Sequence, residues 1–204
     1  MNDTNILNIE GSVDVLIEYL NYAVNTLLYH REVYSSEKFA PLDKYGLQVY
    51  MITDEKIKSY VDTFLREIKE FIDKKKVEVV DINFISEETL ETVESWSLTI
   101  KYINRPDDDK QQKPLSKIRA EIANVFRQII ATVSYIPHLE QPVTFNITAG
   151  TLLTKVPSKW EETVMRKSAN LEHFPLRDIS TNYHEVKISV AHSPTGDQEM
   201  LCGD

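Results

Sequence analysis

The side chains with chemical capacity are few and badly spaced for catalysis. Five histidines (His30, His138, His173, His184 and His192) follow no metal-ligand interval. A zinc-protease helix needs a second histidine four residues after the first; His184-Glu185 begins such a motif, but Ile188 stands where that histidine would be. The single cysteine, Cys202, stands third from the end, a tail position implausible for a Cys/His nucleophile pair, and being alone it excludes an intramolecular disulfide. Five glycines form neither a phosphate-binding loop nor a dinucleotide fingerprint. Carboxylates cluster at Glu87-Glu88 and at Asp107, Asp108 and Asp109, in stretches that read as turns, where solvated charge is the ordinary role. The expectation is a protein with no catalytic residue, no cofactor and no metal, working by binding.

Composition narrows what is bound. The chain has 204 residues, enough for one domain with a substantial core, and a formal net charge of −9. That balance argues against direct nucleic-acid binding, which needs dominant Lys/Arg clusters. The densest basic run, Lys74-Lys75-Lys76, falls at an expected helix end, where cations complement the dipole. No run is long and apolar enough to span a membrane, and the first residues carry no signal-peptide pattern.

Three helices follow from period. Val13, Leu16, Ile17, Leu20, Val24, Leu27 and Leu28 recur at helical spacing after Ser12, a candidate N-cap. A second helix begins at Thr53, with Asp54 and Glu55 in its first turn and Ile57, Tyr60, Val61, Phe64, Leu65, Ile68 and Phe71 on one face. The third starts at Ser116 and carries Ile118, Ile122, Val125, Phe126, Ile129, Ile130 and Val133 before Pro137. Residues 77–85 and 94–102 read as an antiparallel hairpin, the second strand placing Trp96, Leu98, Ile100 and Tyr102 inward. Residues 143–149 alternate with Val143, Phe145, Ile147 and Ala149 inward, and Val186, Ile188 and Val190 mark a fourth strand. The fold class is α+β: helices on one face of a largely antiparallel sheet. Residues 104–114 read as a polar loop, and residues 1–11 as a flexible segment before a single domain, 12–204.

Two features stand outside this frame. After Glu121 and before Pro137 the third helix carries one charged side chain, Arg127, and its non-core face holds Ala120, Asn124, Arg127, Ala131 and Ser134 with Tyr135 beyond. Either it is buried on both sides, or it is a protein–protein face, where Arg and Tyr are enriched and Lys and Glu depleted. Residues 151–182 show little periodicity yet hold Leu152, Leu153, Trp160, Phe174 and Leu176; so long an aperiodic stretch is uncommon within a domain and is usually functional. Trp160 either pins that segment to the core or lines a pocket for a partner side chain.

Six stretches, in order, resemble the HORMA domain family: LNYAVNTLLYHREVYSSEKF from Leu20, KYGL from Lys44, VESWSLTI from Val93, FRQIIATVSYIPHL from Phe126, KVPSKWEE from Lys155 and LRDISTNYHEV from Leu176. They look most like its spindle-checkpoint branch. REVY from Arg31 looks somewhat like the translesion polymerase zeta branch, a DNA-repair alternative, and Ser35 stands where both branches usually have proline. The resemblance implies three helices on the sheet with a mobile C-terminal safety belt, residues 151–204, including Val156, Trp160, His184 and Val186. It further implies that the belt closes over a short peptide paired to an edge strand made of Val143, Thr144, Phe145, Asn146, Ile147, Thr148 and Ala149.

Two states are implied as well, one with the belt on the peptide site and one closed over a peptide. Arg127, Gln128, Tyr135 and Arg177 match the family's dimerisation and adaptor-binding residues. The implied partners are peptide motifs of a Mad-one-like kinetochore scaffold and of a Cdc-twenty-like activator of the anaphase-promoting complex, a second copy in an open–closed dimer, and a AAA+ remodelling ATPase with its adaptor. The expected place of action is the nucleus, kinetochore and cytoplasm.

Overall fold

A computed structural model describes residues 9–103, 113–139, 141–153, 160–163 and 171–193. Three helices, α1 (Ile9–His30), α2 (Glu55–Asp73) and α3 (Leu115–Val133), join eight strands. A two-stranded hairpin comprises β1 (Phe39–Lys44) and β2 (Leu47–Ile52). The main sheet contains β3 (Val77–Ser86), β4 (Thr92–Tyr102), β5 (Val143–Thr151), β6 (Glu172–Pro175), β7 (Ile179–Ser180) and β8 (His184–His192). Its order is β5-β3-β4-β8-β6, with β7 also pairing to β8, and every pairing described is antiparallel.

The expected hairpin of β3 and β4 is present, with Ile82 opposite Trp96 and Val80 opposite Leu98. Alternation sends Val80, Ile82 and Phe84 of β3 and Trp96, Leu98 and Ile100 of β4 into one core with the apolar faces of the helices. The turn between them is closed by Ser86, whose Oγ accepts from the amides of Glu88 and Thr89, so Glu87 and Glu88 are turn residues.

Helix α1 is the central helix, packed between α2, α3 and the small hairpin. Besides the expected apolar stripe, Tyr19, Ala23, Asn25 and Thr26 are buried, so little of its circumference meets water. Ser12 is not its cap. The helix already runs at Ile9, within the segment expected to precede the domain, and Ser12 lies inside it with no exposed surface. Its hydroxyl instead contacts Thr181 Oγ1 and His184 Nδ1, each at 2.7 Å. A hydroxyl near an apolar run signals a cap in sequence, but here a tertiary polar partner competed for it.

In α2 the cap is Asp54, whose carboxylate accepts from the amides of Lys56 and Ile57 and lies below the usual carboxylate range chiefly for that reason. Thr53 precedes the helix: its amide and hydroxyl donate to the carbonyl of Lys38. The basic run follows the helix end, with Lys74 at the C-cap and Lys75 in the left-handed region.

The β1–β2 hairpin has no counterpart in the periodicity reading. Pro41 and the polar residues of β1 hide its alternation, and the turn rests on Tyr45 and Gly46, both with positive φ (54° and 70°) as a two-residue hairpin turn requires. Tyrosine is a poor advertisement for that conformation; here it is held by its hydroxyl on Glu18 and by ring contacts with Tyr22 and Phe126.

A buried charge pair ties the core together. Arg31, at the end of α1, meets the Glu94 carboxylate at 2.7 Å, and both side chains are almost fully buried. Arg31 also donates to the carbonyl of Pro137 (2.7 Å), and the indole of Trp96 donates to Glu94 Oε1 (2.6 Å). Burial holds the Glu94 carboxyl above the usual range, against the opposing pull of Arg31.

His184 gives the fold an acid-sensitive point. Its ring is buried on β8 against Ser12, and burial lowers its pKa from 6.5 to about 4. The folded state therefore binds this proton less readily than the unfolded chain. Stability falls as pH drops from 6.5 towards 4, and about 2 kcal/mol of the loss comes between pH 7 and 5. Urea unfolding at those two pH values will show it, and H184Q will abolish that share of the acid loss.

Candidate functional site: the outer edge of β5

Strand β5 is at one end of the sheet. It pairs with β3, Asn146 opposite Asn83 and Ile147 opposite Ile82, and with no other strand among the described residues. Which backbone groups it turns outward follows from three contacts. The carbonyl of Pro142 accepts from Glu87, and the amide of Leu152 donates to Lys76, so at both ends the even-numbered residues point inward, towards β3 and its flanking residues. In the middle, the amide of Ile147 points the other way and donates to the Tyr60 hydroxyl at 3.0 Å. Since N–H and C=O directions alternate along a strand, Phe145, Ile147, Ala149 and Thr151 present their polar backbone groups to the outer edge. An edge of this kind is a template for another strand.

Beside it lies a cavity of about 1060 Å³. One wall is β5 from Asn146 to Thr151; the other is α2 through Tyr60, Phe64 and Glu67, with Trp160 and residues 161–163 completing the rim. Trp160 is fixed against α2: its ring lies 5.5 Å from both Phe64 and Phe71, and its indole donates to Glu67 Oε2 at 2.6 Å. Trp160 therefore pins its segment to α2, and the same placement lines the cavity. Gly150 lets β5 lie close on β3, where a Cβ would come within 2.6 Å of Val79 Cγ1. Behind the edge, Asn83 donates to Asn146 and Thr148 and accepts from Ser95, a polar row anchored on the buried Asn83 and Ser95 that fixes the register of three strands.

Comparison with known proteins fits this geometry. Residues 12–196 match the model of the HORMA domain. The chain belongs to the HORMA domain family. The mitotic spindle assembly checkpoint protein MAD2A of Dictyostelium discoideum is 32% identical over 199 residues, covering 95% of this chain and 96% of that protein. A chain in the crystal structure of the mitotic checkpoint complex aligns with a TM-score of 0.79 and 28% identity, covering 90% of this chain and 99% of the other. C. elegans HTP-2, solved with the HTP-3 closure motif 1, aligns with a TM-score of 0.77 over 93% of this chain and 89% of that one; at 11% identity this shows the shared fold alone.

Within this HORMA domain, the expected site residues fall into three places. The seven edge residues lie on β5 as outlined, and Trp160 stands across the cavity from them. His184 and Val186, expected in the safety belt, are built into β8, Val186 opposite Ile100 of β4. Two strands, β3 and β4, separate them from β5, so the structure does not bring them to the edge. Val156 lies outside the described residues, as do residues 104–112 of the expected polar loop and Cys202.

The third place is α3. Its far face is exposed at Ala120, Asn124, Arg127, Ala131 and Ser134, and Tyr135 is 89% exposed, so the expectation of a helix buried on both sides does not hold. Arg127 lies along the surface, donating to Asn124 Oδ1. The Gln128 side chain accepts from the amide of Arg177 at 2.7 Å, which joins two of the expected dimerisation residues into one patch with Arg127. At the start of the helix, Lys113 and Glu121 form an ion pair, Lys113 also donates to the Ser180 carbonyl and hydroxyl, and Asn182 bonds the Lys113 backbone. The segment leading into β8 is thereby docked on α3.

The sequence reading missed Tyr60 as an edge residue. Helical period assigns it to the core stripe of α2, yet it is 43% exposed and its hydroxyl reaches β5. Its long, polar-tipped side chain at the stripe's margin is the signal that marks such a position.

Proposed function

We propose that this chain is a spindle-assembly-checkpoint adaptor without catalytic activity, which captures short extended peptides on the outer edge of β5. The observation that carries this reading is the outer β5 edge, which pairs with no other strand among the described residues and faces a cavity walled by α2 and Trp160. Likeness to MAD2A over nearly the whole chain supports the checkpoint assignment. A ligand strand would gain affinity from main-chain bonds to Ala149 and Thr151, and selectivity from the side chains it sets into the cavity. The ligands are motifs of a kinetochore scaffold and of the anaphase-promoting-complex activator, competing for one site. Capture of the activator restrains ubiquitin ligation until chromosomes attach.

The position of β8 on β4 supports a belt-closed arrangement, in which β8 lies away from the β5 edge that a peptide would use. In the other state the C-terminal strands would occupy that edge, two packings of one sequence. A AAA+ ATPase with its adaptor would return one to the other.

The experiment is an anisotropy titration with two labelled peptides, one carrying the checkpoint-activator motif and the other the polymerase-zeta motif. Tight binding of the first alone is the expected result. Preference for the second would move the chain to DNA repair, and binding of neither would remove the peptide reading.

The α3 face is proposed to join an open and a closed copy. Its charge-poor surface around Arg127, Gln128, Tyr135 and Arg177 supports that use. R127E is expected to weaken self-association at least about tenfold by sedimentation velocity, close to the 1.4 kcal/mol that one such anchor contributes. Unchanged association would end this assignment.

A further inference from the structure

The outward amides of β5 are not equivalent. Ala149 and Thr151 open into the cavity, while that of Ile147 is already taken by the phenol of Tyr60 at 3.0 Å. Tyr60 is held there from a second side, its ring standing edge-on to Phe145 with centroids 5.6 Å apart, and Phe145 is braced in turn by Tyr34. The cavity ends at the same point: it is lined by β5 from Asn146 to Thr151 and by Tyr60, but not by Phe145. Backbone polarity and shape thus agree on one boundary.

From this juxtaposition we infer that Tyr60 is the end stop of the ligand ladder: a captured strand pairs with β5 at Ala149 and Thr151 and leaves the edge at Ile147. The inference rests on the reading of β5 as the peptide edge and adds what sets the length and register of the bound segment. A strand has a side-chain period of two, so an edge offering four equivalent outward residues would accept ligands in several registers. Blocking the Ile147 amide with a side-chain hydroxyl, without leaving it unsatisfied, removes the registers that run past it. The ligand residue that reaches this point cannot bond the Ile147 amide; its chain must turn outward over the Tyr60 ring. The recognised motif is therefore a short extended segment followed, at the Tyr60 end, by residues that need not be extended.

Amide hydrogen exchange by NMR on the full chain, free and with the checkpoint-activator peptide, tests both levels. In the wild type, peptide should slow exchange at Ala149 and Thr151 at least about tenfold and leave Ile147 unchanged. In Y60F, Ile147 should exchange at least about tenfold faster in the free protein, and peptide should now slow it as well, because the ladder extends past the removed hydroxyl. Slowing at Ile147 in the wild-type complex in parallel with Ala149 and Thr151, with the same footprint in Y60F, would overturn the end stop while leaving the peptide edge intact. Peptide that slows neither Ala149 nor Thr151 would overturn the edge reading, and the end stop with it.

Discussion

R31M will destabilise the fold by about 3–5 kcal/mol, the largest effect expected of a single substitution outside the apolar core. The methionine keeps much of the buried volume but leaves Glu94 with its charge uncompensated among apolar neighbours, and it strips the Pro137 carbonyl of its donor. The pH dependence identifies the cause. Burial already raises the folded-state pKa of Glu94, and loss of Arg31 raises it further. A carboxyl raised above its unfolded value costs stability at high pH and recovers it when protonated, so the R31M deficit will shrink between pH 7 and 5. Adding E94Q to R31M should recover most of the loss at pH 7, because the amide oxygen still accepts from Trp96 without carrying charge. Chemical denaturation of the two single variants and the double variant completes the cycle; equal losses at both pH values would assign the effect to packing instead.

A149P will abolish most peptide binding while leaving the protein folded. The Ala149 amide points away from β3, so proline there removes no bond of the sheet, and an edge strand tolerates the ring on its outer side. What it removes is a donor to the ligand strand, and the ring intrudes on the cavity where that strand would lie. One lost main-chain bond with added obstruction should weaken the activator peptide at least about tenfold, or 1.4 kcal/mol, in the anisotropy titration. T148P is the control in the other direction. Its amide faces β3, so the variant should lose about 1–3 kcal/mol of stability by denaturation. If A149P bound peptide as the wild type does, the outer edge of β5 would not be the site.

How far the sequence reached depends on the range of the forces involved. The stripes of α1, α2 and α3 were legible because burying one helix face demands apolar residues at a 3.6 period, and Val61, Phe64, Ile122 and Ile129 are buried as that demands. The β3–β4 hairpin and β5 were legible by their period of two. The β1–β2 hairpin was not, because its turn depends on Tyr45 adopting a positive φ for tertiary reasons. Ser12 shows the same limit, a cap by local pattern that is a partner of Thr181 and His184 in space.

For the site, the resemblance placed the edge on β5, and the structure added what it faces. Composition and periodicity determined an α+β domain with three amphipathic helices and an α3 face unusually poor in charge. Only the tertiary structure decided that α1, not α3, is the enclosed helix, that His184 and Val186 belong to the far side of the sheet, and that Tyr60 leaves the core stripe to hold an edge amide. The physical reason is that periodicity reports the direction of a side chain about its own element. Which strand lies at the edge, and which long side chain reaches it, depends on contacts between residues as distant as Tyr60 and Ile147, and no local pattern records those.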